Sequence, residues 1–225
     1  MIVARSSNLF LVVFILLLTS VLNGQEVRVH KTIEVDDQRF TFIVTADSSY
    51  KCTLTIKRDQ KITFSDTLID FYDSGEFSDF NGDGHTDLLT FRHTNTTWNQ
   101  LYLYDPTLAN YKHIEGFRQY PNSLPVHNST GLYYSYRKNG CADANWFSDL
   151  LIIEDNRIKK LARINGIGCP RNAEKPRIDI QVFHGDESFS VLETIPLDTI
   201  DSIEGNKWKF ISSYWSTHAK NLKKL

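Results

Sequence analysis

The sequence has no surplus of basic charge. Lys and Arg number 25 and Asp and Glu 27, which gives no electrostatic footprint for the phosphates of a nucleic acid. Patterns that carry common chemistries are missing as well. There is no Gly-x-Ser-x-Gly elbow, no His-Glu-x-x-His pair and no phosphate-cradling glycine loop. The seven His are scattered, and no pair has ligand spacing. Gly166-Ile167-Gly168 beside Cys169 reads as a disulfide turn, not a nucleotide loop. No segment carries a sustained i, i+3, i+4 apolar stripe, and the best helix candidate is the short, Lys-rich tail from Ser216 to Leu225. Long apolar runs are absent except at the start, where Leu9 to Leu18 is almost wholly apolar. About ten residues cannot span a bilayer core of roughly 30 Å. Arg5 precedes that run, and small polar residues from Thr19 to Gly24 follow it. The segment therefore reads as a secretory signal peptide, residues 1–24, cut near Gly24 and Gln25. The expectation is a secreted or periplasmic protein with no transmembrane segment after signal removal.

Cysteine is scarce, with three in the chain. Export permits a disulfide. Cys141 and Cys169 sit in glycine-marked loops that flank a hairpin pattern, and a bridge between them is expected. Cys52 lies inside an alternating strand pattern and reads as a buried thiol. The odd count leaves other pairings open.

What the sequence has in quantity is period-two alternation. Val27 and Val29, Ile33 and Val35, Phe40 with Phe42 and Val44, Cys52 with Leu54 and Ile56, and Ile62 with Phe64 each alternate with polar neighbours. Asp36-Asp37-Gln38 and Arg58-Asp59-Gln60 mark turns between them. The pattern returns at 101–104, 132–136, 150–153 and 158–164, with a tight Asp155-Asn156 turn between the last two. Ile178, Ile180 and Val182 begin another strand, and Trp208, Phe210 and Ile211 are placed near the end of the pattern. The fold class expected is all-β, a partial β-propeller-like or sandwich-like arrangement of short antiparallel strands with one calcium loop. A β domain is expected over 25–170, with 171–225 as a C-terminal β extension.

The calcium loop is the most specific feature. Asp79-Phe-Asn81-Gly-Asp83-Gly84-His85-Thr-Asp87 puts oxygen-bearing side chains at positions one, three, five and nine. Calcium takes six to eight hard oxygens, and alternate residues of a tight turn can aim theirs at one point. His85 would add its backbone carbonyl, and Gly84 permits the sharp turn. Thr90 stands where an EF-hand has its bidentate Glu, so the loop is of another type. A plain Asp/Asn/Gly turn between strands is the bland alternative.

This motif resembles the calcium loop of FG-GAP and VCBS repeats, the blades of integrin-type β-propellers. With Asn99-Gln-Leu-Tyr-Leu-Tyr-Asp105-Pro and Leu132-Tyr-Tyr-Ser-Tyr136 behind it, residues 69–164 are similar to a family of small exported bacterial proteins with a partial propeller-like fold. That family includes immunity proteins against lysozyme-like toxins. The resemblance implies a calcium-stabilised, protein-binding module, non-enzymatic, with a peptidoglycan hydrolase of the cell wall as the partner class. A carbohydrate-binding or surface-adhesion module is the alternative, and a glycoside hydrolase the weaker one. For the latter, Asp143, Asp149, Glu154 and Asp155 flank Trp146 and Phe147 and could supply a carboxylate pair. Residues 139–147 are the candidate partner loop, with Asp143, Asn145, Trp146 and Phe147 as contact residues. Seven aromatics (Trp98, Tyr102, Tyr104, Tyr133, Tyr134, Tyr136 and Trp146) crowd into about fifty residues. Alternation would bury roughly half and leave the rest for an interface.

Overall fold

A computed structural model describes residues 21–22, 25–49, 51–68, 74–92, 98–170, 174–185, 188–203 and 206–224. Apart from Val21 and Leu22, the expected signal peptide lies outside the described residues. Three antiparallel sheets follow one another along the chain. The first is a meander of β1 (Val21–Leu22), β2 (Gln25–Val35), β3 (Gln38–Ala46), β4 (Cys52–Arg58) and β5 (Lys61–Leu68). The second holds β6 (Ser74–Ser78), β7 (Asp87–Arg92), β8 (Trp98–Asp105) and β9 (Asn110–His113). The third holds β10 (Leu124–Pro125), β11 (Leu132–Tyr134), β12 (Arg137–Lys138), β13 (Asn145–Glu154), β14 (Arg157–Ile167), β15 (Arg177–Phe183) and β16 (Phe189–Pro196). None of the three closes into a barrel. The all-β class expected from alternation is what the chain adopts.

The turns are those the sequence marked. Asp36 and Asp37, Asp59 and Gln60, and Asp155 and Asn156 all have positive φ, between 47° and 71°. Paired left-handed residues match the twist of the strands they join, and Asp and Asn tolerate that region best.

Layering follows from which strands are apolar on both faces. β8 alternates Leu101 and Leu103 on one side with Tyr102 and Tyr104 on the other. The tyrosine side joins Leu88 and Tyr111 against Phe40, Phe42, Leu54 and Ile56 of the first sheet. The leucine side joins Phe80, Ile114 and Phe117 against Tyr133 and Leu151 of the third. The second sheet is thus the middle layer. The far face of the third sheet is covered by a helix.

That helix, α1 (Asn206–Leu222), is the main departure from the expected pattern. Trp208, Phe210 and Ile211 belong to it, not to a strand, and it begins ten residues before the expected tail helix. Its buried stripe runs Ile211, Trp215, Ala219 and Leu222. Three large apolar residues and one Ala, spread over twelve positions among Ser, Thr and His, make a weak periodic signal. Tertiary contact supplies the rest: Trp215 is fully buried, and its Nε1 donates to Ser148 Oγ at 2.8 Å. After residue 170, β15 and β16 extend the same third sheet, and α1 shares its core with β13 and β14. Residues 171–173, where the boundary was expected, lie outside the described residues.

Candidate metal centre

The loop from Asp79 to Thr86 joins β6 to β7, and Asp87 opens β7. Its carboxylates fold inward onto backbone N–H groups. Asp79 Oδ1 accepts from Gly82 N at 2.7 Å and Asp83 N at 3.1 Å, and its Oδ2 from Gly84 N at 2.9 Å. Asn81 Oδ1 accepts from Asp83 N at 3.1 Å, while its Nδ2 donates to Asp83 Oδ2 at 2.8 Å. Asp83 Oδ1 accepts from His85 N at 2.8 Å. Gly82 and Gly84 sit at φ 76° and 91°, where a side chain would strain the turn.

Asp87 anchors the loop to the layers below. It is 1% exposed, and its two oxygens accept from Phe80 N and Tyr104 N, each at 2.9 Å. Burial pushes its carboxyl up to about 6, against the opposing pull of those two N–H donors. Tyr111 Oη donates to Thr86 O at 2.9 Å. Phe80 stacks on Tyr133 at 5.0 Å, and the Tyr133 hydroxyl is pushed up to about 12, by burial first and then by Asp87, Asp83 and Asp79. His85 Nδ1 lies 3.2 Å from Asp36 Oδ2 on the β2–β3 turn, so the loop also touches the first sheet.

The donor types suit a hard cation: three carboxylates, one amide oxygen and the His85 backbone carbonyl within nine residues. Among the described residues, no three His, Cys, Asp or Glu side chains converge as a finished metal cluster. The loop is wrapped, but its oxygens point at amides.

No family model matches the chain, and no curated protein matches it. Among solved structures, a Xanthomonas type IV secretion system related protein is similar, with a TM-score of 0.47 and 14% identity. The likeness covers 78% of this chain and 97% of that one.

The expected partner loop is built differently from what its composition suggested. The bridge between Cys141 and Cys169 is formed, with Cα atoms 6.3 Å apart, and Cys52 is buried in β4 as a thiol. Trp146 is 2% exposed. It is therefore core, and its indole cannot meet a partner. Gly166 exists to admit it: a Cβ there would lie 2.1 Å from Trp146 Cε2. That glycine belongs to β14, not to a disulfide turn. Asn145 caps the other side of the bridge, its Oδ1 accepting from Cys169 N at 2.9 Å. Phe147 is half-buried beneath the Arg163 guanidinium, 4.0 Å from the ring centroid.

Asp143 is clamped. Lys207 Nζ lies 2.9 Å from its Oδ2 and 2.7 Å from Tyr136 Oη, and Tyr136 Oη donates to Asp143 Oδ1. Burial would raise the Asp143 carboxyl, but the bonds from Lys207 and Tyr136 outweigh it and hold it below the usual carboxylate range. Lys207 was outside the sequence-based candidates because nothing near Asp143 in sequence signals a residue on α1. Five of the seven crowded aromatics (Tyr102, Tyr104, Tyr133, Tyr136 and Trp146) are buried, so they pack layers together and form no exposed patch. Asp149, one of the carboxylates weighed for glycoside cleavage, is buried in a bidentate pair with Arg163, at 2.6 and 3.1 Å.

A groove of about 840 Å³ runs beside the 79–87 loop. Asp79, Phe80, Asn81 and Gly82 form one wall, and residues 124–134 the other. Leu124 is 54% exposed at its mouth.

Proposed function

We propose that the chain is an exported binding module whose fold is stiffened by one calcium ion and whose partner is a protein. The observation that supports this reading is the position of the loop. One turn gathers every oxygen donor and at the same time forms a wall of the groove against 124–134. The side chains of Asp79, Asn81, Asp83 and Asp87 and the carbonyl of His85 would hold the ion. Gly82 and Gly84 already turn the backbone, and the carboxylates would have to give up backbone N–H partners to meet the ion. The cation would offset three neighbouring carboxylates and fix the wall that a partner meets. The resemblance of residues 69–164 to a family of small exported proteins that includes immunity proteins makes a peptidoglycan hydrolase the partner class to test first.

The test has two arms. Melting is followed in calcium and in EDTA, and a lysozyme-like muramidase is assayed with added chain in each buffer. The reading expects a higher melting temperature and stronger inhibition in calcium. An unchanged melting temperature rejects the ion. Retention of peptidoglycan with no effect on the enzyme replaces the protein partner by carbohydrate.

A further inference from the structure

Asn-Gly occurs four times in the chain, at Asn23, Asn81, Asn139 and Asn165. The dipeptide carries a chemistry of its own. The backbone N of the glycine can attack the asparagine carboxamide, and with no Cβ on the glycine nothing on that residue blocks the approach. Asn23 lies outside the described residues, and the fold treats the other three copies differently.

Asn81-Gly82 is held at both reacting groups. Gly82 N donates to Asp79 Oδ1 at 2.7 Å. The Asn81 carboxamide is held by Asp83, its Oδ1 accepting from Asp83 N at 3.1 Å and its Nδ2 donating to Asp83 Oδ2 at 2.8 Å. Asn165-Gly166 is held by strand pairing. Gly166 lies opposite Trp146 on β13 and Ile178 on β15, and the Trp146 indole closes over it.

Asn139-Gly140 has neither protection. Both residues are exposed, directly after β12. Bonds hold the outer groups of the pair: Asn139 N donates to Asn145 O at 2.8 Å, and Gly140 O accepts from Asp143 N at 3.2 Å and Asn145 N at 3.3 Å. The reacting groups are left out. Among the described residues, neither the Asn139 carboxamide nor Gly140 N has a hydrogen-bond partner. Gly140 sits at φ 93°, and a Cβ built on it would meet no atom within 4 Å outside its chain neighbours.

We propose that Asn139 is a site of spontaneous deamidation, with water as the co-reactant. Gly140 N bonds to Asn139 Cγ, and the Nδ2 amino group leaves with the Gly140 amide proton as ammonia, giving a succinimide. Water then opens that ring. Cleavage of the bond from Gly140 N to Cγ leaves an aspartate at the position. Cleavage of the bond from Gly140 N to the main-chain carbonyl leaves an isoaspartate, with the chain running through the former side chain. Either way a neutral amide has become a carboxylate. The isoaspartate also adds a carbon atom to the backbone, inside the turn that Asn139 N and Asn145 O close. The 139–147 loop therefore gains negative charge with age, between Lys138 and Asp143.

The test ages the full, oxidised chain in mildly alkaline buffer. Isoelectric focusing follows the added charge, and peptide mapping locates it. Asn139 converts about tenfold or more faster than Asn81, whose attacking N–H must first leave a carboxylate, and also faster than Asn165. Asn139→Gln removes the acidic form, because the longer side chain closes its ring far more slowly, and leaves the melting temperature unchanged. In guanidinium with the bridge reduced, the three pairs convert at similar rates, since the fold makes the difference. Conversion at Asn139 no faster than at Asn81 or Asn165 in the folded chain overturns the inference. So does an acidic form that persists in Asn139→Gln, or the same order of rates in the unfolded chain.

Discussion

Two loops in this molecule are held by opposite means. The loop over residues 79–87 is closed by its own side chains, through hydrogen bonds that span two to seven residues. The loop over residues 139–147 has backbone bonds of its own, such as Asn139 N to Asn145 O at 2.8 Å, but its side chains are pinned from outside, by Cys169 at a separation of 28 and by Lys207 at 64. The first needs glycine at two left-handed positions. The second carries Cys141, Ala142 and Asp143 in that region at φ 54°, 49° and 74° without glycine at any of them. Non-glycine residues there cost roughly 1–2 kcal/mol each, so remote contacts must supply what local preference does not. A locally closed loop suits a ligand that comes and goes. One pinned by covalent and long-range contacts suits a fixed scaffold.

The sharpest attack on that contrast is Trp146→Ala. It empties the core beneath the pinned loop and should cost about 3–5 kcal/mol in urea unfolding, equally in calcium and EDTA. Next comes removal of the bridge by Cys141→Ser with Cys169→Ser. Closing a loop of this length contributes about 3 kcal/mol, again regardless of calcium, and a loss that appeared in one buffer alone would erase the distinction between the loops. Asp83→Ala should do the reverse. At a hundredfold excess of calcium over its dissociation constant it should lose about 2.7 kcal/mol. In EDTA it should lose about 1 kcal/mol, for the turn bond to His85. The same loss of about 1 kcal/mol in both buffers would mean that the loop is a plain turn.

The smallest effect tests the clamp. The Asp143 carboxyl is depressed in the folded chain, so its contribution is complete above its unfolded value near 3.9 and is lost as pH falls through the folded value. Asp143→Asn should flatten that acid limb and cost about 1 kcal/mol at neutral pH.

Much of the molecule was legible from residue order. Alternation located the strands of the first sheet and the β13–β14 hairpin, because a strand that packs on one face must alternate. Asp36-Asp37 and Asp155-Asn156 announced their turns, because the left-handed region is open to few residues. The oxygen spacing from Asp79 to Asp87 was visible for the same reason: most of the hydrogen bonds that wrap the loop lie within it, with Tyr104, Tyr111 and Asp36 as anchors from outside. The bridge was readable because three cysteines and two glycine-marked loops leave few choices.

What failed to be legible was non-local. Trp146 and Phe147 are adjacent and similar, and alternation says that they face opposite ways without saying which way is in. The packing of α1 against β13 and β14 decided that, and it made Trp146 core. The helix itself was hidden because Ile211, Trp215, Ala219 and Leu222 make a sparse stripe that becomes stable once buried. Lys207 reached Asp143 through that helix. The sequence by itself determined the all-β class, the turns and the inward-folded oxygen pattern of the 79–87 loop, since each rests on the conformational preferences of neighbouring residues. Tertiary structure alone decided which aromatics are buried and which carboxylates are paired. Those depend on what arrives from tens of residues away.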